Sequence, residues 1–203
     1  MAGGVDSPPG ASADGATDDA LVARLATGGA VGVAAWGTGL AITFAVVRVV
    51  GLGEAPVDGE RIDPSDADTV SVLGLIFFGA HLVDTELRPP LTDGFNFVTE
   101  LAETVDPAYS VLFLVPLTVL VVAGATLATI DGSVLIGPAL VAGYLPPSAL
   151  GAVLFAATAD AGVVSVGLSV PTRTGVVLVG AVYPIVFGAV GSLAAHGLGL
   201  TRG

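Results

Sequence analysis

The sequence contains no cysteine and no lysine, and only 12% of its 203 residues are charged. Without cysteine, disulfides, thiolate metal sites and cysteine nucleophiles are all excluded. The chain has 18 acidic residues and six basic ones, so its formal net charge is −12 at pH 7. This excess of negative charge argues against nucleic acid as a partner. The basic residues are all arginine: Arg24, Arg48, Arg61, Arg88, Arg173 and Arg202.

Apolar residues make up 53% of the chain, and the mean hydropathy is +0.90. Soluble domains carry about 25% charged residues, so this composition indicates a lipid bilayer as the solvent. The acidic residues fall mainly in the N-terminal segment, in Glu54–Asp68 and in Asp84–Asp106, which marks these segments as water-exposed. Acidic loops are typical of proteins in concentrated salt, where charges are screened within roughly 3 Å at 1 M. An acidic membrane protein from ordinary salt is the alternative.

Residues 1–27 predict an acidic, disordered N-terminal tail. The segment is rich in small residues and carries Pro8, Pro9 and several aspartates, so it has too little apolar surface to offset the entropy of ordering. No basic region precedes the first apolar stretch, and the segment is therefore not a secretory signal peptide.

Five apolar runs predict an all-α fold, a polytopic membrane helical bundle that occupies residues 28–203. The second run, Thr69–Val83, is short for a membrane span, because its length gives roughly 22 Å of helix against a hydrocarbon core of about 30 Å. A re-entrant or half-buried segment is the alternative there. The predicted transmembrane helices cover residues 29–50, 69–85, 108–130, 134–159 and 175–198.

A short amphipathic helix is predicted between spans two and three. In Phe95–Val105 the apolar residues share one helical face, while Thr99, Glu100 and Glu103 turn the other way. We expect this helix to lie at the membrane surface and to dock onto the protein's own helices, since its acidic face disfavours anionic lipid. With five spans the arginines divide equally between the two sides, so charge does not decide the orientation, and an inside N-terminus is only weakly preferred.

His81 is the clearest candidate for a polar site within the membrane, where ionisable side chains are costly. Asp84 follows three residues later and would share a helical face with it, so a carboxylate could hold the imidazole. A proton relay or an ion site needs such a pair, and a structural hydrogen bond at a helix end needs it equally. His196 is interpreted as part of a helix C-terminus, and two histidines alone do not make a metal site.

Proline recurs within the predicted spans and frees backbone carbonyls about one turn earlier. Broken helices with free carbonyls form the ion and substrate sites of many secondary transporters. Kinks that only serve packing are the alternative, because membrane helices tolerate proline. Together with His81 and Asp84, the candidate residues for a polar intramembrane site are Tyr144, Pro146, Pro147, Tyr183 and Pro184.

Small residues four apart can let helices approach closely, within the chain or between copies of it. Such pairs are Gly28 and Gly32, Gly188 and Ser192, and Gly191 and Ala195. No phosphate-binding glycine loop, Ser-His-Asp set or zinc-protease motif is present, so we expect no enzymatic activity, no cofactor and no resident metal.

The phrases LIFFGAHLVDT, GYLPPSALGA and VYPIVFGAVGS resemble a family of small, multi-pass haloarchaeal membrane proteins that is uncharacterised. The resemblance implies a haloarchaeal cell membrane and a helical multi-pass fold, and it brings no activity or catalytic residue. The leading functional hypothesis is a non-enzymatic membrane component, either an accessory subunit or a scaffold that self-associates through small-residue faces. The alternative is a small oligomeric transporter or channel that uses His81, Asp84 and the proline-broken helices.

Overall fold

The computed structural model describes residues 13–51, 55–57, 60–62, 69–88, 94–161 and 164–201. Within these residues the chain forms six helices and five short strands. The helices are α1 (Ala13–Val50), α2 (Thr69–Ala80), α3 (Phe97–Thr104), α4 (Pro107–Asp131), α5 (Gly137–Leu154) and α6 (Thr172–Gly197). The strands are β1 (Ala55–Val57), β2 (Glu60–Ile62), β3 (Glu86–Arg88), β4 (Ala156–Ala161) and β5 (Val164–Ser169).

Four helices, α1, α4, α5 and α6, are long and apolar enough to cross a membrane. Helix α4 begins with a 3-10 segment, Pro107–Phe113, and ends at Gly132, whose φ of 79° caps the helix. The predicted hairpin of spans three and four is therefore present, because only a short turn separates α4 from α5. The chain is a multi-pass membrane protein by the length and composition of these helices.

The predicted second span is wrong as a full crossing. Helix α2 has 12 residues, which gives roughly 18 Å of helix and does not cover a hydrocarbon core of about 30 Å. Strand β2 before it lies beside β4, and strand β3 after it pairs with β5, so both flanks of α2 meet the β4–β5 connection between α5 and α6. Helix α2 thus enters and leaves at one end of the bundle, as the re-entrant alternative requires.

The fold contains β-structure that the all-α prediction omits. Strands β3, β5 and β4 form an antiparallel sheet in that order, and β1 and β2 form a separate hairpin. The predicted fourth span, residues 134–159, therefore ends early: α5 stops at Leu154, and β4 begins two residues later. We call the end of the bundle where α1 and α5 finish and α4 and α6 begin the sheet end, because the β4–β5 hairpin connects two helices there.

Part of the predicted disordered tail is helical. Helix α1 begins at Ala13, so residues 13–27 continue the first span, while the first twelve residues lie outside the described part of the chain. The physical reason is that extending an existing helix fixes few additional dihedral angles per hydrogen bond, and the alanine- and leucine-rich residues 20–27 favour helix. On this extension Arg24 pairs with Asp131 at the end of α4, with 3.2 Å between Nε and Oδ1.

Glycines bring the helix backbones together within one chain. A Cβ at Gly28 would lie 2.6 Å from the Cβ of Ala139, and one at Gly32 would overlap the carbonyl oxygen of Leu140. Across the bundle, Gly191 packs against the backbone of Val121 in the same way. Ser192 and Ala195 are buried as well. The small-residue faces predicted for self-association are therefore occupied by the protein's own helices.

With four membrane crossings, the arginines are distributed differently between the two ends of the bundle than with five. Arg48, Arg61, Arg88 and Arg173 now belong to the sheet end, whereas Arg24 lies at the opposite end, and Arg202 is outside the described residues. Cytoplasmic segments of membrane proteins carry the excess of arginine and lysine. The sheet end is therefore expected in the cytoplasm, with the N-terminus outside, which reverses the weak preference drawn from five spans.

The absence of native cysteine allows this topology to be tested with single cysteine variants. In intact cells, Leu135→Cys in the α4–α5 turn is expected to react with a membrane-impermeant maleimide, and Glu103→Cys in α3 only after permeabilisation, because the two positions lie at opposite ends. Both native side chains are exposed. The reverse labelling would overturn the orientation, and equal labelling of both positions would overturn the four-crossing topology.

Two alanine substitutions in α1 test the role of glycine in helix contact. Gly32→Ala is expected to lower the unfolding temperature in mild detergent, because the new methyl group meets only backbone atoms of α5. Gly37→Ala is the matched control, since nothing lies within 4 Å of its Cβ, and alanine favours helix by about 1 kcal/mol. Equal effects at the two positions would contradict the packing described here.

Candidate functional site

Helix α2 ends in a way that directs His81 into the bundle. Leu82 has a φ of 60°, and its N–H donates to Gly79 O at 2.9 Å, while the N–H of Val83 donates to Phe78 O at 3.2 Å. This pair of bonds is a common helix end, with leucine at the left-handed position that glycine usually occupies. The Leu82 side chain is exposed, and the preceding residue, His81, is fully buried.

Both ring nitrogens of His81 are hydrogen-bonded. Nδ1 lies 2.8 Å from the carbonyl oxygen of Phe77, and Nε2 lies 3.0 Å from the hydroxyl oxygen of Tyr144. A carbonyl can only accept, so Nδ1 carries the proton, and Nε2 of the neutral ring then accepts from the tyrosine hydroxyl. A neutral, fully paired imidazole is the form that is tolerated in an apolar interior.

Aromatic rings enclose this pair. The rings of Phe77 and Tyr183 meet the imidazole edge-on, with centroids 4.7 Å and 4.9 Å away. Trp36 of α1 contacts Phe77, with ring centroids 5.4 Å apart, so it packs against α2. Tyr144 and Phe77 are buried almost completely, and Tyr183 is 7% exposed. We call the group formed by Trp36, Phe77, His81, Tyr144 and Tyr183 the aromatic cluster.

Tyr183 reaches the cluster from an irregular part of α6. Residues Gly175–Val182 form a π-helix that ends immediately before Tyr183 and Pro184. Proline cannot donate to the preceding turn, and its ring clashes with the carbonyl four residues earlier, so a wider turn accommodates Pro184. Gly180 within this segment packs against Leu145 and Ser148 of α5. The wide turn therefore lies next to the helix that supplies Tyr144.

The structure brings together only some of the residues predicted for the polar site. His81, Tyr144 and Tyr183 are in contact, and Pro184 adjoins Tyr183. Asp84 is exposed, because α2 ends at Ala80 and the three-residue spacing no longer defines a helical face. Pro146 is exposed on α5, and Pro147 is half-buried.

Asn96 supports the site, and the sequence analysis did not identify it. Its Oδ1 accepts from the N–H groups of Val98 and Thr99 and so caps α3, while its Nδ2 donates to Gly79 O at 3.0 Å. The amide thus links the start of α3 to the end of α2, two residues before His81. An asparagine just ahead of an amphipathic run is an N-cap signal, and this signal was available in the sequence.

His196 does not join His81. It lies at the C-terminus of α6, at the opposite end of the bundle, where its Nδ1 is 3.1 Å from the hydroxyl of Thr201. Among the residues that the structure describes, no three histidine, aspartate or glutamate side chains group as metal ligands would. With both nitrogens of His81 engaged, the aromatic cluster is arranged to hold α2, α5 and α6 together.

The hydroxyl of Tyr144 is expected to contribute to stability through His81. Tyr144→Phe leaves the buried Nε2 without a donor, which costs about 1–3 kcal/mol, and should lower the unfolding temperature in mild detergent. Tyr183→Phe is the matched control, because within the described part of the chain the Tyr183 hydroxyl has no hydrogen bond, and the ring contact is kept. If the two variants unfold alike, the His81–Tyr144 bond does not stabilise the protein.

The comparisons with known proteins give a family and no function. A family model matches residues 9–198, which is most of the chain. No curated protein and no solved structure matches the sequence. The matched range contains all four spans, α2 and the aromatic cluster. Only the two ends of the chain lie outside it. The chain therefore belongs to a family of unknown function, DUF7978.

Proposed function

We propose that the protein is a non-enzymatic component of a cell membrane, an accessory subunit that serves a partner membrane protein. The proposal rests on one observation: the polar side chains His81 and Tyr144 of the aromatic cluster are buried and hydrogen-bonded within the chain. His81 and Tyr144 are 0% exposed, and their polar atoms are used within the chain. Transport needs a path that water or an ion can enter, and catalysis needs a group that a substrate can reach; this cluster offers neither in the conformation described.

In this proposal, the partner membrane protein contacts the exposed surface of the sheet end. Asp84, Glu86, Glu103 and Asp106 are exposed there, and Glu86 is 3.6 Å from Arg88. Because the glycine faces are occupied within the chain, this water-exposed end is better suited to specific contacts than the lipid-facing helices. Acidic surfaces are also compatible with concentrated salt, and we extend the proposal to the membrane of a haloarchaeon on that ground.

A small oligomeric transporter or channel is the second candidate, and one observation favours it. The π-helical segment of α6 lies beside the buried histidine, and π-helical turns occur frequently at functional sites. Transport by this route would require the His81–Tyr144 bond to open, because the bond closes the space between α2 and α5. Asp84 would take part only after a rearrangement of the turn at Leu82.

One preparation can test both candidates. The tagged protein, purified from its own membrane in mild detergent, is expected to retain a second membrane protein in stoichiometric amount. Reconstituted alone into liposomes, it is expected to conduct no protons, sodium or potassium under an imposed gradient, with an ionophore as positive control. Flux that disappears in His81→Ala and persists in Tyr183→Phe would establish transport instead. Isolation without a partner, together with such flux, would overturn the accessory role.

A further inference from the structure

An apolar groove of about 280 Å³ runs along the outside of the bundle near the sheet end. Helix α1 forms one wall, and the beginning of α2 together with Phe155, just after α5, forms the other. Seven positions on α1 separate the first and last lining residues, so the groove is roughly 10 Å long. Its lining residues are Gly37, Leu40, Ala41, Phe44, Val70, Leu73 and Phe155.

A positive charge lies next to Phe44, the lining residue of the groove nearest the end of α1. Arg48 lies one helical turn beyond Phe44 toward the sheet end, and its guanidinium carbon is 5.8 Å from the centroid of the Phe44 ring. The side chain is exposed, and within the described part of the chain no carboxylate pairs with it. The ring contact leaves N–H groups at the rim of the guanidinium, and these are suited to a phosphate.

The two features together match one class of molecule. A phospholipid has an apolar chain for the groove and, at its end, a phosphate for Arg48. We propose that the groove and Arg48 form a binding site for an anionic phospholipid of the leaflet at the sheet end. The arginine count assigns that end to the cytoplasm, where the anionic lipids of many membranes are concentrated. This site is separate from the aromatic cluster, so it does not depend on the proposed function.

The geometry distinguishes this occupant from other candidates. A free phosphate would use Arg48 and leave the groove empty, whereas a zwitterionic lipid would fill the groove but carries a cation next to its phosphate, which weakens its attraction to Arg48. A second copy of the chain would use the groove as a protein interface. Gly37 makes these cases separable, because it lines the groove and a Cβ added there has no protein atom within 4 Å, so a larger side chain can occupy the groove without a clash at its Cβ.

The test is the unfolding temperature of the purified full chain in mild detergent with added phosphatidylglycerol, phosphatidylcholine or inorganic phosphate. Wild type is expected to be stabilised by several degrees by phosphatidylglycerol, clearly less by phosphatidylcholine and not by inorganic phosphate. Arg48→Gln and Gly37→Leu should each reduce this shift at least threefold. Arg173→Gln, which removes an arginine at the same end, and Ala45→Leu, an exposed position of α1 outside the groove, should retain it.

A second measurement guards against variants that fold poorly. Native mass spectrometry should find one phosphatidylglycerol retained by wild type and by the two controls, and none by Arg48→Gln or Gly37→Leu. An equal shift with phosphatidylcholine, a shift with phosphate alone, or full retention of lipid by the groove variants would overturn the proposal. A dimer that Gly37→Leu dissociates would assign the groove to a second copy and overturn it as well.

Discussion

A polar group inside this bundle is costly unless it finds a partner within the protein, because the surrounding hydrocarbon offers none. The bond between His81 and Tyr144 meets this requirement for the buried imidazole that directly follows α2, and much of the structure follows from it. The helix ends at Ala80 next to the buried imidazole, Leu82 takes a left-handed conformation, and Asn96 donates a second hydrogen bond to Gly79 O, which also accepts from the N–H of Leu82. The short helix is consequently fixed in place by hydrogen bonds as well as by its apolar surface.

Close backbone contact is the second constraint. Lipid chains are as apolar as leucine, so helices in a bilayer associate through van der Waals contact at short range. Gly28, Gly32 and Gly143 allow α1 and α5 to touch along their backbones, and Gly124, Gly188 and Gly191 do the same for α4 and α6. This use of glycine within the chain leaves larger residues on the lipid side, among them Phe44, Leu150 and Leu193.

The long helices could be predicted because length and hydropathy alone decide whether a segment can cross a bilayer. The extent of α2 could not be predicted, since its end depends on a backbone turn at Leu82, a residue that rarely adopts it. The sheet was missed although Val164–Val170 alternates strictly between apolar residues and small or polar ones, because hydropathy over a longer window hides a period of two. The prediction that Asp84 shares a helical face with His81 failed for the same reason, because the helix was expected to continue past Ala80.

The position of α2 also bears on the order in which the protein is made. The walls that bury α2 come from α1, which precedes it, and from α5 and α6, which follow it in the chain. When α2 leaves the ribosome, α5 and α6 have not been synthesised, and a helix of this length is not stable across a bilayer on its own. It must therefore wait at the membrane surface until the α4–α5 hairpin and α6 have inserted, and its docking completes the fold.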